Sequence, residues 1–284
     1  MMTAKHTPVL LDAVMRALGD IRDKRVVDCT FGAGGYSRAF LNAGARVTAF
    51  DRDPNVAADA AAIGAEYGDR FTFIPRPFST LSELDGTYDA IVFDLGISSM
   101  QIDQAPRGFS FRFDGPLDMR MSGTGPTAAD LIANTSAADL ARILRDYGDV
   151  KQSAAMARAI QAAAPKTTFA LRDLIHRPGD MAPVFQALRI AVNDEMGEVT
   201  RALAAVPDLL TPGGRCIAVT FHSLEDRLVK NTFRDWTTAP GDPHLPTVAT
   251  APFAPMRPET PGADELATNP RARSAHMRGV IKSY

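Results

Sequence analysis

Two carboxylates and a cluster of glycines are spaced along the sequence in a way that can hold a nucleoside. Asp28 lies within the apolar run 25–31, which leads into Gly32-Ala-Gly-Gly35, and Asp51 follows the apolar run 46–50. Glycines at a strand-to-helix turn let the backbone approach a ligand closely, and the start of a helix offers free N–H groups. A carboxylate at the end of the next strand can accept hydrogen bonds from ribose hydroxyls. Together these features indicate a nucleoside-bearing cofactor; the alternative is a plain turn with a helix-capping aspartate.

The charge of the site indicates which cofactor it suits. A dinucleotide-binding fingerprint needs a third glycine or alanine where this sequence has Ser37. Asp28 would repel a diphosphate, whereas it suits a cofactor that carries an ammonium and a sulfonium group. The pattern therefore favours S-adenosylmethionine over NAD, and a methyltransferase over an NAD-dependent oxidoreductase.

A second set of polar residues follows two later apolar runs, where a doubly wound sheet places its chemistry. Asp94 and Ser98 follow residues 90–93, and His222 follows residues 216–221. An amine whose lone pair is delocalised into an aromatic ring is a poor nucleophile, so a methyltransferase acting on such an amine needs an acceptor for its N–H proton and firm orientation. We predict Asp94 as that acceptor or as a cofactor ligand, Ser98 as an orienting group, and His222 as a catalytic candidate that positions the substrate. The alternative for Asp94 is the capping of a loop.

Two segments combine positive charge with other features of RNA-binding proteins. The run 107–121 interleaves Arg with Phe, and the tail 269–278 contains three Arg and no acidic residue. Arginine binds phosphates, and phenylalanine stacks on unpaired bases. The predicted RNA-binding residues are Arg107, Phe109, Arg112, Arg120, Arg271 and Arg273. The alternatives are a loop that buries at least two of its three Phe rings in a core, and a solvated basic tail.

Strand and helix signals alternate through the first hundred residues, which predicts a parallel sheet with right-handed crossovers. The predicted strands are residues 25–31, 46–50, 70–74, 90–93, 216–221 and 275–284. The intervening patterns from 103 to 204 are helical. The predicted fold class is therefore α/β, with a doubly wound, Rossmann-like sheet domain formed by residues 1–102 and 205–284. An all-helical domain, residues 103–204, interrupts it and is expected to recognise the substrate.

The patterns also predict local features outside the sheet. Ser136 caps a helix that Gly148 ends, because apolar residues recur between them at helical spacing. A single long helix is predicted where one apolar face runs from residue 185 to residue 206. The Pro-rich stretch 239–262 is expected to be an irregular loop.

Composition limits the remaining classes of function. The 284 residues are 45% hydrophobic and 23% charged, as in a globular protein with a sizeable core. No apolar run is long enough for a membrane span, and the N-terminal stretch lacks the features of a signal peptide. Two cysteines fit a reducing compartment, and five scattered histidines give no metal-ligand spacing. We expect a cytoplasmic protein without membrane or metal. Its net charge of −2 confines any RNA contact to local basic patches.

Several long motifs resemble one enzyme family, and they are distributed through nearly the whole chain. These motifs are HTPVLLDAV, DCTFGAGGYS, FDRDP, FDLGISSMQID, RGFSF, GPLDMRM, FQALRIAVNDE, FHSLEDRLVK and NPRARSAHMR. They are similar to those of the small-subunit ribosomal RNA cytosine-N4 methyltransferases of the MraW type. The resemblance implies a class I methyltransferase fold with a helical insertion. It also implies methylation of a decoding-centre cytosine of 16S ribosomal RNA, within the small ribosomal subunit.

The same resemblance implies which residues hold S-adenosylmethionine. By motif correspondence they are Gly34, Gly35, Tyr36, Asp51, Phe78, Asp94 and Gln101. The chain departs from the family at Tyr36, where the family usually has His, so a backbone contact is the safer expectation there. It also departs at residues 179–184, where an Arg that could contact substrate is missing. A methyltransferase acting on DNA or a small molecule is the nearest alternative, but it would lack the Arg- and Phe-bearing loop and the basic tail. A homodimer is compatible with this sequence.

Overall fold

The computed structural model describes residues 8–239 and 250–284, which form two compact units. The first unit comprises the described residues up to Gly96 and those from Glu198 onward. The second unit is Ile97–Gly197. The predicted domain boundaries, 102/103 and 204/205, differ from the junctions of the two units by six and seven residues.

The first unit is built on a seven-stranded sheet. Its strands are β1 (Arg25–Asp28), β2 (Arg46–Phe50), β3 (Phe71–Ile74), β4 (Tyr88–Asp94), β5 (Leu210–Thr220), β6 (Phe253–Pro255) and β7 (His276–Lys282). Their order is β3-β2-β1-β4-β5-β7-β6. The first five are parallel, while β7 runs antiparallel to β5 and to β6. This arrangement confirms the class I, Rossmann-like methyltransferase fold that the sequence predicts.

The described residues also form twelve α-helices. They are α1 (Leu11–Leu18), α2 (Gly35–Asn42), α3 (Ala57–Tyr67), α4 (Ser99–Asp103), α5 (Ala128–Asn134), α6 (Ala137–Gly148), α7 (Ser153–Ala163), α8 (Thr168–Arg172), α9 (Met181–Asn193), α10 (Glu195–Leu209), α11 (Ser223–Trp236) and α12 (Ala263–Thr268). Regular structure in the second unit is helical, apart from an isolated bridge between Pro116 and Thr167.

Each unit encloses its own hydrophobic core. Apolar residues of β1, β4 and β5 are fully enclosed, as Val27, Ile91 and Ala218 illustrate. The core of the second unit includes Leu144 on α6 and Leu188 on α9, which face inward at helical spacing. Burial of this apolar surface is the main stabilising contribution to both units.

The prediction of one long helix from residue 185 to 206 is wrong, because the helix breaks at Asp194. This residue adopts the left-handed conformation, with φ of 47°, and ends α9 before α10 begins. The preceding Asn193 is buried; its side chain donates to the carbonyl of Met119 at 2.7 Å and accepts the N–H of Met121 at 2.8 Å. Aspartate is among the residues that tolerate the left-handed conformation, so the apolar stripe continues on a separate helix.

Two other local predictions need correction. Within the stretch 239–262, expected to be an irregular loop, residues 253–255 form β6 at the edge of the sheet; residues 240–249 lie outside the described residues. The strand predicted at residues 216–221 begins earlier, because residues 211–214 belong to β5 itself. The pairing of β5 with β4 is irregular between Tyr88 and Ala90, which accommodates this glycine-rich start. The predicted capped helix is α6, which runs from Ala137 to Gly148 with Ser136 as its N-cap.

Candidate active site

The glycine turn after β1 is shaped by steric constraints. Gly34 has a φ of +76°, and a Cβ atom built on it would lie 2.5 Å from Cδ1 of Ile63. A Cβ on Gly35 would lie 2.4 Å from Cγ of Pro8. Only glycine therefore fits these two positions without displacing a neighbour. The turn leads directly into α2, whose N-cap residue Gly34 provides no side-chain cap. The start of α2 is thus an electropositive helix end suited to a carboxylate ligand.

Asp28 stabilises this turn through hydrogen bonds. Its carboxylate is 1% exposed and accepts hydrogen bonds from the N–H of Thr30 at 3.1 Å and from Oγ of Ser37 at 2.6 Å. Burial raises the pKa of Asp28 to about 6, although these hydrogen bonds act in the opposite direction. Asp28 is the predicted group that attracts a cationic cofactor. Asp28 is enclosed and both of its carboxylate oxygens bind the turn, so it acts on a cofactor through its charge and not through direct contact.

Asp51 links the end of β2 to the same turn. One carboxylate oxygen accepts the N–H of Gly32 at 2.8 Å, and the other accepts the N–H of Asp53 at 2.8 Å. Burial raises the pKa of Asp51. The side chain is half-buried, and each oxygen has a further lone pair that can accept a hydrogen bond. The geometry is therefore compatible with the predicted contact to ribose hydroxyls.

The two predicted aromatic residues are placed differently. Phe78 is half-buried and packs edge-on against Phe93, with ring centroids 5.8 Å apart. Tyr36 is 3% exposed, and its hydroxyl donates to the carbonyl of Val9. Burial raises the pKa of Tyr36 well above its usual range. The Tyr36 side chain is thus committed to packing, which leaves its backbone N–H for a cofactor contact.

Asp94, at the end of β4, contains an unusual buried atom. Its Oδ1 is fully enclosed and has no hydrogen-bond partner among the described residues, while its N–H donates to Oγ1 of Thr30 at 2.7 Å. Burial, together with the negative charges of Asp28 and Glu225, raises the pKa of Asp94 well above its usual range. An enclosed polar atom without a partner typically costs about 1–3 kcal/mol. Such an atom at the carboxyl edge of a parallel sheet is typical of a ligand-binding position.

His222 and Glu225 form a reciprocal cap at the start of α11. Nδ1 of His222 accepts the N–H of Glu225 at 3.4 Å, while Oε2 of Glu225 accepts the N–H groups of Phe221 at 2.8 Å and His222 at 3.2 Å. Nε2 of His222 lies 3.0 Å from Oε1 of Glu225 but lacks hydrogen-bond geometry. This cap favours a positioning role for His222 over that of a base. Neither Glu225 nor Thr30 is among the predicted site residues, although the three-residue spacing of His222 and Glu225 is the signal of such a cap.

Ser98 and Gln101 also cap each other, at the start of α4 in the second unit. The N–H of Gln101 donates to Oγ of Ser98 at 3.2 Å, and the N–H of Ser98 donates to Oε1 of Gln101 at 3.1 Å. Gln101 is buried. This capping box accounts for the two side chains locally, and their predicted roles toward substrate and cofactor stay predictions.

The predicted RNA-binding loop is mostly committed to internal contacts. Phe109 is 8% exposed within the core of the second unit, so the prediction that it stacks on RNA is corrected here. Arg107 donates to the carbonyls of Arg120 at 3.0 Å and Met121 at 2.9 Å. Arg120 in turn pairs with Asp118 at 2.6 Å. These contacts restrain both arginines within the loop. Arg112 is exposed.

The basic tail is divided between surface and interior. Arg271 and Arg273 are exposed on a 3-10 helix at 270–274. Arg278, by contrast, pairs with Asp226 through two hydrogen bonds of 2.7 and 2.9 Å and ties β7 to α11. This ion pair lowers the pKa of Asp226. Only the first two arginines therefore present the side chains expected of a phosphate-binding tail. Across the described residues, no helix is both apolar enough and long enough to span a membrane.

Comparisons with known proteins agree with this geometry. The model of the MraW methylase family matches residues 3–283. A protein of Mesorhizobium japonicum is 46% identical over 99% of this chain and 88% of its own length. Proteins of Chelativorans sp. and Bradyrhizobium diazoefficiens are 48% and 47% identical over 99% and 100% of this chain, and over 88% and 93% of their own lengths. All three are named ribosomal RNA small subunit methyltransferase H. The prediction of an S-adenosylmethionine-dependent methyltransferase is thereby confirmed over that of an NAD-dependent oxidoreductase, and the chain belongs to the MraW methylase family.

Proposed function

We propose that this protein methylates N4 of a decoding-centre cytosine in the 16S ribosomal RNA of the small ribosomal subunit. The observation that carries the proposal is the enclosed, unpartnered Oδ1 of Asp94 at the end of β4. The relatives named as ribosomal RNA small subunit methyltransferases support the choice of RNA. The cytoplasm, where small subunits are found, is the compartment that this substrate requires.

The acidic character of the site fits S-adenosylmethionine. Asp28, Asp51 and Asp94 lie at the carboxyl ends of three neighbouring strands, and burial raises the pKa of each. A cationic ligand stabilises the ionised forms of such carboxylates, whereas a diphosphate would be repelled. S-adenosylmethionine supplies an electrophilic methyl group carried on a sulfonium.

Each part of this cofactor has a suitable group in the first unit. Asp51 would accept hydrogen bonds from the ribose hydroxyls, and Phe78 offers apolar surface to the adenine. The N–H groups of Gly35 and Tyr36 at the start of α2 suit the methionine carboxylate, because a helix N-terminus attracts negative charge. Asp94 would lie toward the positively charged methionine end of the cofactor.

We propose that Asp94 accepts the proton that the substrate amine loses. The cytosine amine loses a proton when it gains a methyl group, and its lone pair is delocalised into the ring. The carboxylate of Asp94, a half-buried residue, can accept a hydrogen bond from that amine and so orient it. The raised pKa of Asp94 makes its carboxylate a better proton acceptor than an ordinary aspartate.

The cysteines favour methylation at nitrogen over methylation at carbon. Methyl transfer to C5 of a pyrimidine needs a thiolate that adds to the ring. The only cysteines are Cys29 and Cys216, and both are buried in the sheet unit. Burial raises the pKa of Cys29 well above its usual range, and it raises that of Cys216 also. Neither thiol is therefore available as a nucleophile.

Radiolabelled S-adenosylmethionine tests the proposal directly. The protein is incubated with small ribosomal subunits lacking the modification, with naked 16S ribosomal RNA, or with duplex DNA. We expect label in ribosomal RNA and, after nucleoside digestion, in N4-methylcytidine. Label in 5-methylcytidine or in DNA would contradict the proposal, and the comparison of subunit with naked RNA identifies the physiological substrate.

A further inference from the structure

Phe113 is an exposed aromatic residue on the predicted RNA-binding loop. The residue is 48% exposed, and the other large hydrophobic residues exposed within the described ranges are Leu266 and Tyr284. The two preceding aromatic residues of the same run turn inward. Phe109 is buried, and Phe111 packs edge-on against Phe185 with ring centroids 5.5 Å apart. The loop therefore presents its third ring to solvent.

The backbone that carries Phe113 is firmly anchored. Oγ1 of the buried Thr168 donates to the carbonyl of Phe113 at 2.8 Å and accepts the N–H of Gly115 at 3.1 Å. Oδ1 of Asp114 accepts the N–H of Phe169 at 3.1 Å, which joins the loop to α8. A Cβ on Gly115 would lie 2.0 Å from the carbonyl oxygen of Ala105. The exposed ring is thus presented by an ordered segment.

Cations lie on the segments that carry and anchor this ring, together with the carboxylates of Asp114, Asp173 and Asp130, the last of which interacts electrostatically with Lys166. Arg112 is exposed and has no acidic partner among the described residues, and Lys166 is exposed just before α8. The guanidinium of Arg172 lies 3.6 Å from the ring centroid of Phe169, although it also pairs with the exposed Asp173. The nearby carboxylate of Asp114 is engaged in the anchoring bonds that lower its pKa. The surface therefore combines aromatic rings with cations.

We propose that Phe113, with Phe169 and the flanking cations Arg112, Lys166 and Arg172, forms a stacking platform for an unpaired segment of RNA. The inference rests on the proposed function, because the RNA is the ribosomal substrate. Bases stack on exposed aromatic rings, while arginine and lysine bind the phosphates between them. A protein partner would instead require a larger contiguous apolar patch than one ring bordered by cations.

The platform is tested with a fluorescent single-stranded oligouridylate and anisotropy measured across a salt titration. Phe113→Ala should weaken binding by about 5- to 150-fold without changing the salt dependence, since stacking is not ionic. Phe113→Tyr, which keeps the ring, should retain the affinity. Arg112→Ala should reduce the slope of log affinity against log salt by about 0.7, the value for one phosphate of a single strand. Leu266→Ala is the matched exposed apolar control and should leave binding unchanged.

Several outcomes would overturn the inference. The proposal is wrong if the wild-type protein does not bind the oligouridylate, if Phe113→Ala binds as tightly as wild type, or if Phe113→Tyr is as weak as Phe113→Ala. It is also wrong if Phe113→Ala slows methylation of intact subunits with unchanged RNA binding, because the surface would then contact a ribosomal protein. S-adenosylmethionine affinity should be equal in all variants, as calorimetry would show. Binding that depends on Phe113 without any methylation of ribosomal RNA would support the platform while contradicting the proposed function.

Discussion

The N–H of Asp94 donates a 2.7 Å hydrogen bond to Oγ1 of Thr30, and this bond joins the residues that follow β1 to the end of β4. It holds the backbone of Asp94 while Oδ1 of the same residue stays without a partner. The position of the enclosed oxygen thus depends on a hydroxyl that the sequence motifs alone do not single out.

Replacement of that hydroxyl should disturb the site. Thr30→Val leaves the Asp94 N–H without an acceptor, which should cost about 1–3 kcal/mol of stability and weaken S-adenosylmethionine binding. Thr30→Ser keeps the hydroxyl and should behave like wild type. Thr72→Val, an exposed change of the same kind in β3, is the control. Thermal unfolding and calorimetry measure both effects; equal values for Thr30→Val and Thr72→Val would show that the bond is unimportant.

Neutralising Asp94 should separate activity from stability. The folded-state pKa of Asp94 lies above its unfolded value of 3.8, so the ionised carboxylate opposes folding at neutral pH. Asp94→Asn should therefore raise the unfolding temperature at pH 7 while abolishing most methyl transfer. The stability gain should vanish below about pH 4, where both states are protonated. Full turnover by Asp94→Asn on saturating small subunits would exclude an essential role, and Asp69→Asn at an exposed ion pair serves as the control.

The raised carboxyl pKa values make cofactor binding depend on pH. S-adenosylmethionine binds as a cation and should favour the ionised forms, so its affinity should increase as the pH rises through about 6, the pKa of Asp28. Protons should be released on binding, and calorimetry in two buffers of different ionisation enthalpy measures their number. S-adenosylhomocysteine has no sulfonium and should show a shallower pH dependence. Identical profiles for the two ligands would contradict the electrostatic explanation.

Asp51 should contribute to the affinity for S-adenosylmethionine by binding its ribose hydroxyls. Asp51→Ala removes a hydrogen-bond acceptor from the ligand and from the N–H groups of Gly32 and Asp53. We expect roughly 5- to 150-fold weaker S-adenosylmethionine binding, corresponding to about 1–3 kcal/mol. Asp59→Ala, on the exposed face of α3, provides a matched control. Wild-type affinity in Asp51→Ala would exclude the predicted contact.

Substitutions at two glycines with similar backbone angles distinguish the cost of backbone strain from the cost of steric overlap. Gly34 and Gly123 have φ values of +76° and +71°, but a Cβ on Gly123 would meet nothing within 4 Å. Gly123→Ala should cost only about 1–2 kcal/mol, the penalty for a left-handed residue. Gly34→Ala should cost more, because its Cβ would also overlap Ile63. Denaturant unfolding measures both, and equal losses would show that the overlap is relieved by small shifts.

The parts of the fold that the sequence predicts are those set by local patterns. The runs that form β1, β2 and β4, the glycine turn and the Ser136 cap are recognisable because each depends on neighbours within a few residues. The break at Asp194 is not, because it depends on the contacts of buried Asn193 with Met119 and Met121, far away in sequence.

The same limit applies to the candidate site. Residue type indicates that Asp28, Asp51 and Asp94 can all serve a cationic ligand, and the sheet does place them on neighbouring strands. Residue type does not predict which of them is enclosed and bound within the protein: Asp28 is enclosed and accepts the hydroxyl of Ser37, whereas one oxygen of Asp94 has no partner among the described residues. The burial of Phe109 and the exposure of Phe113 likewise follow from packing against the helical core, since both belong to one uniform motif.

The adjacency of β4 and β5 has a consequence for how the chain folds. These strands are neighbours in the sheet, but residues 95–209 separate them along the chain. Pairing them closes a long loop, and contacts of high sequence separation form slowly. The helical residues 97–197 have their own core, and the sequence separations within it are shorter than that between β4 and β5, so they are expected to acquire structure first. Asp94, at the end of β4, would then reach its final surroundings in the last stage of folding, when β5 docks.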